Sequence, residues 1–231
     1  SFVVREGECL GILGESGSGK STTGRVLAGL LKPDSGAVLI EGEDVYAGSK
    51  GREHLRNRLS IVFQDYTTSA NPRFTIRRVI GEGIAVGARK TGEKIDYAEE
   101  TARLLRLVGL DESFAKRFPH ELSGGQLQRV CIARAIACRS ELILFDEAVS
   151  SLDAHTQVQI MDLLLDLKEK LGLTYIFITH DLTSITYFCS RVIFLKDGSV
   201  VADSPVSELS KLDVPYAKEL LGAVLDFNAE S

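Results

Sequence analysis

Apolar and polar positions along the chain follow two different rhythms. Residues 8–13 form a short apolar run closed by Gly14, which reads as a buried strand followed by a break. A Gly/Ser stretch then runs to Gly19, and residues 20–31 have helical spacing that stops ahead of Pro33. Residues 37–41 and 59–63 read as further strands. Across residues 71–140 the rhythm changes. Segments 76–86, 98–108 and 126–138 all carry apolar residues at helical spacing, with no strand between them. Strand and helix then alternate again, as strand 142–145, amphipathic helix 155–171 and strand 175–179. Segments 191–195 and 199–202 flank Asp197-Gly198, a two-residue hairpin signal, and residues 215–224 read as a closing helix. The pattern predicts one α/β domain over 1–231, with a lobe built from 1–70 and 141–231 and a helical insertion at 71–140.

Composition narrows the possible partners. The chain has 231 residues, 44% hydrophobic and 26% charged, enough to bury a core without disulfide or metal staples. With 27 Lys+Arg against 32 Asp+Glu the formal net charge is -5. That argues against a broad basic footprint for nucleic acid or anionic lipid, while a local patch stays open. The apolar runs are short and broken by charge or Gly, so none predicts a membrane span, and no secretory apolar segment opens the sequence. Cys9, Cys131, Cys138 and Cys189 form no CxxC and sit in apolar contexts, as expected of buried free thiols.

Three short segments carry candidate chemistry. Gly14-Glu15-Ser16-Gly17-Ser18-Gly19-Lys20-Ser21 matches GxxxxGK[ST] and lies between a predicted strand and a predicted helix, as that motif must. Its glycines allow backbone angles that turn successive N–H groups inward as an anion nest, and the helix N-terminus adds its dipole. Lys20 is expected to reach the β/γ-phosphates, Ser21 to bind Mg²⁺, and Thr22 to extend the contact set. The second segment, Leu142-Ile143-Leu144-Phe145-Asp146-Glu147, is an apolar strand ending in two carboxylates. Alone it reads as a solvated strand end. Beside a phosphate loop it delivers Asp146 to a Mg²⁺ shell and Glu147 to an attacking water. The third is Leu122-Ser123-Gly124-Gly125-Gln126, a second Ser/Gly turn at a helix start. A simple N-cap would need the serine but not both glycines.

The last segment, continued by Leu127-Gln128-Arg129, resembles the signature of the ATP-binding cassette (ABC) ATPases. The rest of that family's set is present in order. Gln64 resembles the Q-loop glutamine, Ser150-Ser151-Leu152-Asp153 the D-loop, and His180 the switch histidine. Phe63-Gln64-Asp65 with Ser69-Ala70-Asn71-Pro72-Arg73, Phe118-Pro119-His120-Glu121, and Pro215-Tyr216-Ala217-Lys218 resemble stretches of the peptide/nickel importer group. Asp146-Glu147-Ala148-Val149-Ser150 is similar to the second ATPase of nickel and metal-chelate importers; oligopeptide or dipeptide import stays open.

The resemblance implies a P-loop NTPase fold with an inserted helical signature subdomain and a small antiparallel β part. It implies ATP and Mg²⁺ as ligands, with Lys20, Gln64, Glu147 and His180 catalytic. Ser21, Gln64 and Asp146 would hold the metal. Ser123, Gly124, Gly125, Gln126 and Asp153 would meet a nucleotide on a second ATPase subunit packed head-to-tail. Two membrane permease subunits, and indirectly an extracytoplasmic solute-binding protein, are the further partners, at the cytoplasmic face of the membrane and without nucleic acid. Only Ser1-Phe2-Val3-Val4 precedes the Gly7-Glu8 turn, so the antiparallel part is expected to be truncated and to lack the ring that stacks on adenine. No cysteine follows Cys189, so no iron–sulfur site is expected. The alternatives are a soluble ABC ATPase acting on DNA or ribosomes, a cassette that binds ATP without turnover, and an exporter cassette.

Overall fold

The computed structural model describes residues 1–229. In chain order the elements are β1 (Cys9–Leu13), α1 (Lys20–Leu27), β2 (Leu39–Ile40), β3 (Glu43–Asp44), α2 (Gly48–Arg58), β4 (Leu59–Phe63), α3 (Tyr66–Ser69), α4 (Ile76–Thr91), α5 (Tyr97–Leu107), α6 (Gly124–Ala137), β5 (Leu142–Asp146), α7 (Ala154–Leu171), β6 (Thr174–Thr179), α8 (Leu182–Phe188), β7 (Arg191–Lys196), β8 (Ser199–Pro205) and α9 (Pro215–Ala229). The main sheet has the order β4-β5-β6-β1-β7-β8. Its first five strands are parallel, and β8 returns antiparallel along β7. Asp146 pairs with Phe63 on one side and Ile178 on the other, and Leu13 pairs with Thr179. The carboxyl ends of β1, β4, β5 and β6 therefore share one edge, where open α/β sheets bind ligands.

Continuous apolar strands need both sheet faces covered. On one face Phe145, Tyr175 and Phe177 pack with Phe188, the rings of Phe145 and Tyr175 meeting edge to face at 5.1 Å. The same cluster runs on into Ile80, Ile84, Leu104 and Val130 of the helices between β4 and β5. On the other face a smaller cluster of Ile12, Leu144, Ile176, Ile178 and Leu195 lies under Leu27, Phe2 and Val4. Arg191 ties the chain start to the sheet edge. Its guanidinium donates to Glu8 at 3.0 Å, to Val3 O at 2.9 Å, and through two nitrogens to Asp203 at 2.6 and 2.7 Å. None of the four cysteines forms a disulfide among the described residues, and burial pushes the Cys131 thiol up to about 11.

Several element limits differ from the pattern-based expectation. Helix α1 ends at Leu27, not at residue 31, because Gly29 turns left-handed at φ 71° and the N–H groups of Leu30 and Leu31 both fold back to Arg25 O. Helix α4 runs past residue 86 to Thr91, ended by Gly92 at φ 69°. Strand β2 shrinks to two residues because Glu41 and Gly42, both left-handed at φ 51° and 82°, turn it straight into β3. Helices α2 and α8 were unforeseen: the first is almost wholly polar and buries only Gly51 and Leu55, and the second has seven residues.

The helices between β4 and β5 meet at glycine. A Cβ added at Gly83 of α4 would lie 2.2 Å from Arg134 O of α6, whereas one at Gly81 would meet nothing closer than Tyr97 at 3.6 Å. Gly83→Ala should destabilise the fold by about 1–3 kcal/mol, while Gly81→Ala should be neutral or stabilising by up to about 1 kcal/mol. Urea unfolding of both variants checks this; equal losses would mean that α4 and α6 are not in backbone contact.

Candidate functional site

The loop between β1 and α1 passes through left-handed backbone at Gly17 (φ 84°) and Gly19 (φ 101°). Gly19 is the N-cap of α1, and no side chain caps the helix's first N–H groups there. The β7–β8 hairpin supports the loop from behind. Gly198 N–H donates to Ser18 O at 2.9 Å, and a Cβ on Gly14 would strike Leu195 O at 2.3 Å. Lys20 is buried, and its ammonium donates to Gly14 O at 2.6 Å and Glu15 O at 2.8 Å. Burial lowers its pKa, opposed by attraction to Glu147, Asp146 and Glu15. In front of the loop lies a cleft of about 600 Å³, lined by residues 15–17 and 19–22 together with Glu147, His180 and Leu220.

The two carboxylates at the end of β5 diverge. Asp146 stays in the strand and lines a second hollow with Phe63, Gln64 and Asp65. Burial and then the neighbouring Glu147 raise its pKa; Arg25 and Lys20 pull the other way. Glu147 leaves the strand at φ 48°, a conformation that costs a non-glycine residue about 1–3 kcal/mol. The turn is held by Glu147 N–H donating to Ile178 O at 2.9 Å. It carries the side chain into the first cleft, where Glu147 Oε2 lies 3.3 Å from His180 Nδ1. Gln64 Nε2 donates to Ser150 Oγ at 3.3 Å, and Ser150 Oγ donates to Glu147 O at 2.9 Å, so the hollow and the cleft are linked. The donors expected for a metal are a hydroxyl, an amide oxygen and one carboxylate. Such a set suits Mg²⁺, which keeps several waters and binds substrate phosphates.

The second glycine turn lies apart. Ser123 Oγ accepts Gln126 N–H at 3.3 Å while Gln126 Oε1 accepts Ser123 N–H at 3.0 Å, a reciprocal cap on α6. Gly124 opens that helix. Gly125 has a packing reason of its own, since a Cβ there would come within 2.5 Å of Thr156 on α7. Asp153 caps α7, accepting from Thr156 N–H at 3.0 Å and its hydroxyl at 2.7 Å, and these bonds hold its carboxyl below the usual range. None of these residues lines the 600 Å³ cleft. Within this chain the phosphate loop, Glu147 and His180 are brought together, and the Ser123 turn is not.

Two contacts at the cleft were not foreseen. Tyr216 Oη accepts the N–H of Glu15 at 3.0 Å, and Leu220, one turn on in α9, lines the cleft. Arg25, a turn into α1, faces Asp146 electrostatically. The Pro215-Tyr216 run signalled a helix, but nothing local tells which N–H a tyrosine reaches across 201 residues.

Comparison with known proteins accords with this geometry. The ABC transporter family model matches residues 1–150. The nickel import ATP-binding protein NikE of Rhodospirillum rubrum is 43% identical over 97% of this chain and 81% of its own length. The metal-staphylopine import system ATP-binding protein CntF of Staphylococcus aureus is 43% identical over 98% of this chain and 89% of its own. The oligopeptide transport ATP-binding protein OppF of Bacillus subtilis is 42% identical over 97% and 74%. Among solved structures, cbiO1 from Clostridium perfringens, part of the ABC transporter complex cbiONQ, superposes with a TM-score of 0.79 at 28% identity, covering 91% of this chain and 82% of that one. A dimeric ATP-binding cassette in a post-hydrolysis state with ADP and Pi bound does so at 0.76 and 33% identity, covering 89% and 88%. With a family model matched over more than half its length and relatives above 40% identity across nearly all of it, the chain belongs to the ABC transporter family, among its ATP-binding, ATP-hydrolysing subunits.

Proposed function

We propose that this subunit binds Mg-ATP on the Gly14–Ser21 loop and hydrolyses it to energise import through membrane permease subunits. The observation that carries the reading is the single cleft shared by Lys20, Glu147 and His180. Successive N–H groups of the loop and the start of α1 would cradle the phosphates, with Lys20 at the β/γ position and Thr22 at the edge. Mg²⁺, held by Ser21, Gln64 and Asp146, would neutralise charge developing on the phosphates. Glu147 would take a proton from the attacking water, and its 3.3 Å contact with His180 would fix its orientation while the imidazole reaches the γ-phosphate.

The separation of the Ser123 turn from the cleft supports a shared site. In it Ser123, Gly124, Gly125 and Gln126 of one subunit would close over ATP held by another, with Asp153 near the seam. Loss of the γ-phosphate would release that closure. The helices over 71–140 and the Gln64 loop would pass the motion to two permease subunits at the cytoplasmic face, a solute-binding protein acting outside. No helix of the described residues is long and apolar enough to cross a membrane itself. The solute would be nickel, another metal chelate, or a di- or oligopeptide. Relatives named for each class are similarly identical, so identity does not choose among them.

Glu147→Gln should keep ATP binding and lower turnover by about 10²–10⁴-fold, whereas Lys20→Ala should weaken binding itself. Steady-state ATPase of the assembled transporter and calorimetric titration check the pair. A fall in turnover of less than about tenfold would remove Glu147 as the base. The chain alone should be largely monomeric and slow. Light scattering combined with turnover at rising protein concentration tests this, and fast cooperative hydrolysis by a strict monomer contradicts the shared site.

A further inference from the structure

One peptide group of the phosphate loop is held at both ends by side chains. The carbonyl of Gly14 accepts from Lys20 Nζ at 2.6 Å. The N–H of Glu15, in the same rigid plane, donates to Tyr216 Oη at 3.0 Å. The two clamps come from opposite directions, Lys20 from the start of α1 and Tyr216 from the first turn of α9. Tyr216 is buried, with the Lys196 ammonium 4.6 Å above its ring. Its hydroxyl is therefore set by packing and does not wave in solvent.

We propose that Tyr216 is a positioning residue for ATP binding, fixing the Gly14–Glu15 peptide plane and through it the aim of Lys20. The inference rests on the reading above that this loop holds the phosphates of ATP. A peptide plane turns as a unit about its flanking single bonds. Held only at its carbonyl, this plane could swing and carry with it the oxygen against which the ammonium is set. The tyrosine hydroxyl takes the other end and stops that rotation. It also withdraws the Glu15 N–H from the cleft, so the ring of donors offered to an anion begins at Ser16. Leu220 extends the same helix along the cleft wall, so α9 serves as a back-stop for the loop.

The test is Tyr216→Phe in the full chain, which keeps the ring, its packing and the Lys196 contact and removes only the oxygen. The Glu15 amide should exchange with deuterium about tenfold faster in the nucleotide-free variant, while amides of β1 keep the wild-type rate. The Kd for Mg-ATP should rise about three- to tenfold, the scale of one neutral hydrogen bond, with kcat at saturation within about twofold. A merely structural role would lower the melting temperature and spread faster exchange through β1, which overturns the proposal. So does an unchanged Glu15 amide, or a faster one with unchanged Kd. Should the phenylalanine variant fail to fold, replacing the Gly14–Glu15 amide by an ester removes the same N–H from the loop side without adding an atom and should weaken binding to a similar extent; unaltered binding overturns the proposal. Wild-type protein that binds no Mg-ATP sinks the proposed function, and the positioning role with it. Unchanged affinity in a wild type that does bind sinks the positioning role alone.

Discussion

A strand that hands over to a helix through a short loop, with the helix's first N–H groups aimed at one point, must bend its backbone into left-handed conformation. Here that occurs at Gly17 and Gly19, at φ 84° and 101°. Much of the neighbouring structure serves to hold the bend. The β7–β8 hairpin donates Gly198 N–H to Ser18 O and leaves no room for a side chain on Gly14. Lys20 binds back onto the loop's own carbonyls, and Tyr216 accepts the N–H of Glu15. The hairpin owes its position to its own pair of left-handed residues, Asp197 and Gly198 at φ 48° and 74°.

The divergence of Asp146 and Glu147 follows from strand geometry. Successive residues in a strand face opposite sides, so two adjacent acids cannot both face one ligand from a regular strand. Asp146 remains in register between Phe63 and Ile178, and its burial is offset by Arg25 and Lys20. Glu147 breaks out through a strained turn and is caught by Ile178 O and His180. Two like groups are thereby separated, one beside Gln64 and the other beside the Gly14–Ser21 loop. Strain at such a position is a cost that a merely structural strand end would not need to carry.

The parts legible in the sequence are those whose physics is local. The apolar run into Gly14, the glycines before Lys20 and the acids after Phe145 each reveal their conformation within a few residues, and the structure places each at the same sheet edge. The parts that were not legible depend on distant partners. Leu30 and Leu31 continue a helical apolar rhythm, yet Gly29 ends the helix and leaves them at 62% and 44% exposure. Helix α2 has almost no apolar face to read, being placed by the fit of Gly51 against Asp44 O and by Leu55. The twin glycines of the Ser123 turn point to anion binding alone; a Cβ on Gly125 would also press on the Thr156 methyl at 2.5 Å. Tyr216 is the extreme case, since only the fold brings it to Glu15.

The central claim is that loop backbone geometry, rather than side-chain charge alone, makes the phosphate site. Gly19→Ala tests it most directly. A Cβ there has room, the nearest atom being Gly198 Cα at 3.5 Å, so the substitution acts through its φ of 101° and not through a clash. Gly172→Ala, at φ 64° in open space beyond α7, imposes a comparable backbone penalty far from the cleft. Calorimetric titration with Mg-ATP should find the Gly19 variant weakened by about five- to a hundredfold, since about 1–3 kcal/mol of strain is relieved only by moving the loop, and the Gly172 variant unchanged. Equal affinity in the Gly19 variant and the wild type would contradict the account.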